Sequence, residues 1–343
     1  MCIRDSIRLA KRLIEEAKQI RADAIKFQIF KAEKIVSPDV PQASYQAKNI
    51  GKKESQYNML KRLELPYTAF RELKAYCSEK GIIFLATPHS GQKDVDLVAE
   101  LCPAIKVGSG DLTNLPILKY IAKKKLPIIL STGMSTLKEV REAVETILPI
   151  NKKLILLHCT TNYPTPLREV NLRAISTMVK EFNLPIGYSD HTQSLIVPVA
   201  AVVLGAVVIE KHFTLDKNLP GPDHKASLLP PEFKKMIKNI RDIEKRIVQG
   251  KNRIGLLKKL GVQRALGDGI KRPNSSEIEI AKVVRKSIVA DTNIRKGTII
   301  KPNMLAIKRP GTGIEPKYFN KVIYKVAIQN IKKGQPLHFN QFQ

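Results

Sequence analysis

Short apolar runs rich in Val and Ile alternate along this chain with longer stretches whose apolar residues recur at helical spacing. The runs over 24–30, 82–88, 104–109, 127–132, 154–160, 185–191 and 207–214 predict seven strands, because each is short, β-branched and bounded by turn residues. The stretches near 7–20, 66–80, 92–102, 114–125, 135–148, 170–183, 193–205 and 231–249 predict helices. Such alternation means parallel strands joined by crossover helices. The fold class expected is α/β, a (β/α)8 barrel of the TIM type, but eight helices face only seven strands and the chain opens on a helix. Met1 to Ser6 is too short and polar to supply the missing strand. The expectation is a barrel lacking its first strand, through an N-terminal truncation or completion in some unusual way.

After the last helix the pattern changes. A polar stretch over 249–277 carries Gly250, Gly255, Gly261, Gly267, Gly269 and Pro273, a composition that marks a linker. Short β-like pieces follow at 287–290, 298–300 and 304–308. The predicted organisation is a catalytic barrel at 1–248, a linker at 249–277 and a small β-rich domain at 278–343. So small a module would lean on a partner for burial.

The 343 residues are 43% hydrophobic, enough for a sizeable core. No uncharged apolar run reaches the roughly 18 residues of a membrane span, so no membrane partner is expected. The four cysteines lack CxxC spacing, which points to reduced thiols and a cytoplasmic protein. A formal net charge of +28 would attract nucleic acid, anionic membrane or small phosphorylated substrates. With no Trp and 6% aromatics there is little for bases to stack on, and no nucleic-acid partner is expected.

Polar residues gather at the C-terminal ends of the predicted strands: Lys26 and Gln28, Thr87, Lys106 and Ser109, Ser131 and Thr132, His158 and Thr160, Ser189 to His191, and Glu210 with His212. In a barrel, that face holds the active site. His191 and His212 end neighbouring strands and suit a divalent transition metal, with His158, His89 and His224 as possible further ligands. Lys26 and Lys106 would clamp a phosphate or carboxylate, or one of them would form a Schiff base. Lys211, facing away from Glu210 and His212, is a poorer candidate. Hydroxyls at Ser109, Ser131, Thr132 and Ser189, beside Gly108, Gly110 and Gly133, complete an anion pocket suited to phosphate plus carboxylate.

The blocks Lys26-Phe27-Gln28, Lys106-Val107-Gly108-Ser109-Gly110-Asp111, Leu130-Ser131-Thr132-Gly133-Met134, His158-Cys159-Thr160-Thr161-Asn162-Tyr163-Pro164, Gly187-Tyr188-Ser189-Asp190-His191-Thr192 and Glu210-Lys211-His212-Phe213-Thr214 resemble those of the sialic acid synthase family, in order. Gly221-Pro222-Asp223-His224 and Lys308-Arg309-Pro310-Gly311-Thr312-Gly313 continue the match. The resemblance implies a barrel followed by a small antifreeze-like, or SAF, domain. It also implies a metal-dependent condensation of phosphoenolpyruvate with an N-acetylated hexosamine, releasing phosphate and yielding a nonulosonic acid. N-Acetylmannosamine is the first acceptor implied, with the diacetamido sugars of legionaminic or pseudaminic acid as alternatives.

By the same resemblance, His191 and His212 would be catalytic ligands of Mn or Mg. Lys26, Thr87, Lys106, Ser109, Ser131, Asn162 and Ser189 would hold phosphoenolpyruvate. Gln28, Tyr163 and Asp223 would meet the sugar, Tyr163 counting among the catalytic groups. Arg309 would reach the partner subunit's active site in a domain-swapped homodimer. Family members also begin with a strand carrying a Glu and an Asn-His pair that has no counterpart here, which suggests that the opening residues are foreign. Two other functions remain open from the residues alone: a Schiff-base lyase using Lys26 or Lys106, and an inactive basic binding module.

Overall fold

The structure is a computed structural model and describes residues 6–343; residues 1–5, where a first strand was sought, lie outside them. Seven parallel strands follow one another in chain order: β1 (Ala24–Ile29), β2 (Ile83–Pro88), β3 (Ile105–Val107), β4 (Ile128–Ser131), β5 (Leu154–Cys159), β6 (Ile186–Asp190) and β7 (Ile209–Lys211). Each expected run forms a strand, shorter than its apolar span. Thr132, Thr160, His191 and His212 fall beyond the last strand residue, because the chain leaves the ladder to turn into the next helix.

The helices owe their positions to caps and one apolar face. Ile7–Gln19 starts at Ser6, whose hydroxyl accepts from the Leu9 N–H, and buries Ala10, Leu13, Ile14 and Ala17 at three- and four-residue spacing. Leu137–Ile147 starts in a Thr136/Glu139 capping box. These faces close over one core that includes Phe27, Phe84, Leu130, Leu156 and Tyr188. Among the described residues, β1 and β7 each pair on one side only, so the curled sheet stays open between them. A cavity of about 350 Å³ lies at that opening, lined by Ile25, Ala206, Phe233, Met236 and Ile240 among others.

Two segments depart from expectation. The stretch between β1 and the helix Tyr67–Lys80 folds into the short helices Ala32–Ile35, Ser44–Ile50 and Gln56–Lys61. The expected linker is largely helical, with Arg253–Leu260 and Gln263–Leu266, and then Ser275–Val284. Its glycines punctuate helices: Gly261 caps the first of them in the left-handed region at φ 66°.

The C-terminal residues carry their own core, including Ile288, Ile294, Ile300, Val322 and Leu337. There β8 (Ser287–Ala290) pairs antiparallel with β9 (Leu305–Lys308), whereas the piece expected at 298–300 makes only an isolated bridge, Ile299 to Val326. This unit packs on the strand-end face of its own chain. Arg285 reaches Glu139 at 2.6 Å, Lys317 reaches Glu142 at 3.0 Å, and Arg309 bridges to Val36. Among the described residues no helix is long and apolar enough to cross a membrane, and Cys77, Cys102 and Cys159 are free and buried.

Candidate functional site

The strand ends converge on a polar cavity of about 160 Å³. A charge cluster forms its floor. Lys26 from β1 meets Glu210 from β7 at 3.0 Å, so the two outer strands are bridged at their ends by an ion pair. Lys106 on β3 lies 3.8 Å from the other Glu210 oxygen and donates to Ser131 Oγ at 2.7 Å and to the Val107 carbonyl at 2.9 Å. Burial alone would raise the Glu210 carboxyl, but Lys106 and Lys26 overcome it and hold the group well below the usual carboxylate range. Burial pulls Lys106 down to about 8, against the pull of Glu210. Two lysines facing one carboxylate leave positive charge in a poorly solvated pocket, and a bound anion would balance it.

Hydroxyls surround this cluster. Thr87 Oγ1 is buried without a hydrogen-bond partner among the described residues. Ser109 Oγ lies 3.3 Å from Thr161 Oγ1. Gly133 permits that approach: a Cβ there would stand 2.4 Å from Thr161 Oγ1 and 2.5 Å from Ser109 Cβ.

The histidines stand on the other side. His191 donates Nδ1–H to the Thr160 carbonyl at 2.6 Å, which leaves Nε2 with its lone pair. Burial lowers His191 to about 4 and His212 well below its ordinary value, so both rings are neutral, the form that binds metals. Their centroids are 5.5 Å apart, and the Tyr163 ring packs at 4.0 Å from His191. His212 Nδ1 is 4.0 Å from the Asp223 carboxylate, which burial raises. Behind the pair, fully buried Lys211 bonds Asp190, whose carboxylate also accepts from Thr192 N–H at 2.9 Å and so holds the loop carrying His191. Lys211 thus serves the scaffold, as its facing implied.

Two nitrogen donors suit Mn better than Mg, which prefers oxygen. Among the described residues no group of three or more His, Cys, Asp or Glu is arranged to hold a metal. An ion held by the two histidines would therefore draw its remaining bonds from substrate or solvent.

Of the residues singled out in the sequence, Lys26, Gln28, Thr87, Lys106, Ser109, Ser131, Tyr163, His191, His212, Asp223 and Arg309 all line this cavity. Ser189 stands just behind, donating to Glu210 at 2.8 Å. Asn162 turns away: its amide donates to Ser276 at 3.2 Å, at the start of the Ser275–Val284 helix, and to Glu169 at 3.4 Å, in the turn Leu167–Glu169. His158 is in the core, bonded to the Val170 carbonyl at 2.8 Å, and His224 pairs with Thr214 Oγ1 at 2.7 Å. Neither lines the cavity.

Arg309 reaches this cavity from the C-terminal unit. It sits in the cavity of its own chain, donating to Gln56 Oε1 at 2.8 Å, because the C-terminal unit folds back over its own strand ends. Sequence reasoning left Glu210 without a role, although its two-residue spacing from His212 puts both on one face. Tyr45, which stacks on Tyr163 at 4.9 Å, and Gln56 were missed because they come from the segment without a clear period.

Comparison with known proteins agrees with this arrangement. The NeuB family profile matches residues 13–252 and the SAF domain profile residues 285–343. The chain is 44% identical to the N,N'-diacetyllegionaminic acid synthase of Campylobacter jejuni, covering 96% of this chain and 94% of that protein. It is 41% identical to the synthase of the same name from Legionella pneumophila, covering 96% and 89%. The crystal structure of the Bacillus subtilis spore coat polysaccharide biosynthesis protein SpsE superimposes with a TM-score of 0.82 at 32% identity, covering 99% of this chain and 92% of that one. With a profile spanning the strands and relatives this similar over nearly its whole length, the chain belongs to the NeuB family, the sialic acid synthases that its motifs resemble, and ends in a SAF domain.

Proposed function

We propose that this chain condenses phosphoenolpyruvate with a 2,4-diacetamido-6-deoxy hexose and water, giving an N,N'-diacetyllegionaminic acid and inorganic phosphate. The observation that carries the condensation is the cavity, where a lysine-rich anion pocket and two neutral histidines face one another. The diacetamido acceptor takes precedence over the N-acetylmannosamine expected first. Its support is the two relatives named as legionaminic acid synthases, at 41% and 44% identity.

In this proposal Lys26 and Lys106 hold the phosphate and carboxylate of phosphoenolpyruvate, with Ser131, Thr87 and Ser109 donating further hydrogen bonds. Tyr163 and Asp223 lie beside the histidines and would orient the sugar. Gln28 lies on the face shared with Lys26. His191 and His212 would hold a divalent metal, which when bound polarises the sugar aldehyde as a Lewis acid. Glu210, kept ionised by the two lysines, maintains the charge balance of the empty pocket and is freed from part of that pairing when the anion enters.

The test is phosphate release from phosphoenolpyruvate with each sugar in turn, with and without a chelator. Release faster with the diacetamido sugar and lost on chelation is expected. Preference for N-acetylmannosamine would overturn the acceptor, and no release with either would overturn the condensation. A Schiff-base route through Lys106 predicts trapping by borohydride in the presence of pyruvate; none is expected, since the Lys106 ammonium is committed to Ser131, Val107 and Glu210.

A further inference from the structure

Ten buried side-chain atoms lack a hydrogen-bond partner among the described residues, and Thr87 Oγ1, His89 Nε2 and Arg309 Nε, all from residues lining the polar cavity, are three of them. Buried polar atoms are left unsatisfied at a cost, so their convergence on one cavity marks where a ligand bonds. Thr87 and Arg309 belong to the site already described. His89 does not, and its surroundings are built around it.

His89 follows β2, and its backbone N–H donates to the Ile29 carbonyl at 3.0 Å, which ties the chain there to β1. Gly108 makes room for it, since a Cβ there would come within 3.3 Å of the ring's Cε1. Nδ1 faces Asp111 Oδ2 at 4.0 Å. Asp111 is itself held by Lys286 Nζ at 2.8 Å and by Asn114 Nδ2 at 3.0 Å. Lys286 also donates to the His89 carbonyl at 2.7 Å, so one lysine of the C-terminal unit fixes both the carboxylate and the backbone of the histidine. That carboxylate lies beyond hydrogen-bond distance of Nδ1, so the neutral ring is free to carry its proton on Nε2, the buried edge without a partner among the described residues, and to donate it to a ligand.

We infer that His89 is a further binding residue for the anionic substrate, which meets Nε2 while Asp111 and Lys286 orient the ring from behind. The inference rests on the proposed phosphoenolpyruvate site. Lys26 and Lys106, with Arg309 nearby, supply the charge at that site, and His89 supplies direction. In the free protein the ring is neutral, because burial outweighs Asp111 and lowers it to about 3. It therefore adds no repulsion among the cations before the ligand arrives. Asp111 and Lys286 are positioning residues, and through Lys286 the docking of the C-terminal unit is felt at the ligand.

Calorimetric titration of the full chain with phosphoenolpyruvate, and separately with sulfate, tests this with two substitutions of different reach. In His89→Gln the amide nitrogen extends to the place of Nε2, whereas in His89→Asn it stops near Nδ1. The expected result is a loss of affinity of about tenfold to a hundredfold in H89N, the size of one hydrogen bond to a charged group, and retention within about threefold in H89Q. Asp111→Asn should weaken binding in the wild-type background and add little in the H89N background. Wild-type affinity in both His89 variants would overturn the inference. So would equal loss in both at an unchanged melting temperature, which would place the role in ring packing. If sulfate binds with this pattern while phosphoenolpyruvate does not bind, the functional proposal fails and the anion contact of His89 stands; if neither binds, both fail.

Discussion

Two cavities of this protein, one at the sheet opening and one over the strand ends, differ in a way that size alone would misrepresent. The larger, about 350 Å³, opens between β1 and β7 and is walled mainly by apolar side chains from Ile7–Gln19, Val197–Val203 and Pro230–Val248 and the loops beside them. The smaller, about 160 Å³, sits over the strand ends and gathers lysines, carboxylates, histidines and unsatisfied polar atoms. Lys26, Gln28, Lys106, Glu210 and His212 belong to both, so the two meet at the charge cluster. Volume at the sheet opening reports an unfilled interval between strands. Buried charge is costly without a purpose, and it locates the chemistry.

The sharpest way to break this contrast is Lys106→Met, which removes a cation from the polar cavity while Lys26 still pairs Glu210. We expect kcat/KM for phosphate release to fall about 10²- to 10³-fold, as for loss of a preorganised electrostatic contact. A smaller loss would mean that Lys26 alone holds the anion. Met236→Ala, in the wall of the larger cavity, should do the converse. Thermal and denaturant unfolding should show a loss of about 2–4 kcal/mol with kcat retained at saturating substrate. Equal damage to kcat would show that the larger cavity shapes the site.

A third test sets a cavity histidine against a core one. His89 and His158 are each lowered to about 3 by burial, so between pH 6.5 and that value the unfolded chain binds protons that the folded chain refuses. The stability they contribute is present above about pH 6.5 and is lost as the pH falls. The expected loss is about 1 kcal/mol per histidine between pH 6.5 and 5.5. Denaturant titrations of H89Q and H158Q should each flatten this slope by a similar amount, because burial sets it in both places. The smallest effect should come from Arg241→Ala, which removes exposed contacts to Asp23 and Glu244 at the rim of the larger cavity. A change in unfolding free energy above about 1 kcal/mol there would contradict the usual weakness of surface pairs.

Legibility of the site followed the strength of local signals. Lys26, Lys106, His191 and His212 were visible because a parallel strand carries its polar residues to its C-terminal end. Glu210 shares that end, but only the structure shows it held between two lysines that come from β1 and β3. Tyr45 and Gln56 gave no signal of their own, and His89 only that of a possible ligand beside His158 and His224, since nothing in a loop sequence states which cavity the loop will cover. Asn162 misled for a related reason. It stands in a family-like block, yet Glu169 and Ser276 compete for its amide more closely than the cavity does.

The linker shows the same limit at the level of secondary structure. Glycines at 250, 261 and 267 suggested a break and do fall between helices, whereas Gly255 lies inside Arg253–Leu260; these short helices draw their stability from packing, with Leu256 and Ala265 buried.

By itself the sequence determined the alternation of seven strands with helices and the chemical types gathered at the strand ends. Hydrophobic period and β-branching act within a few residues and survive in any context. The tertiary structure alone decided which carboxylate balances the lysines, which histidines leave the core for the cavity, and that Arg309 and Lys286 of the C-terminal unit reach the strand-end site. Those outcomes depend on groups far apart in sequence competing for the same buried partners. Desolvation, which sets the winner, exists only once the chain has packed.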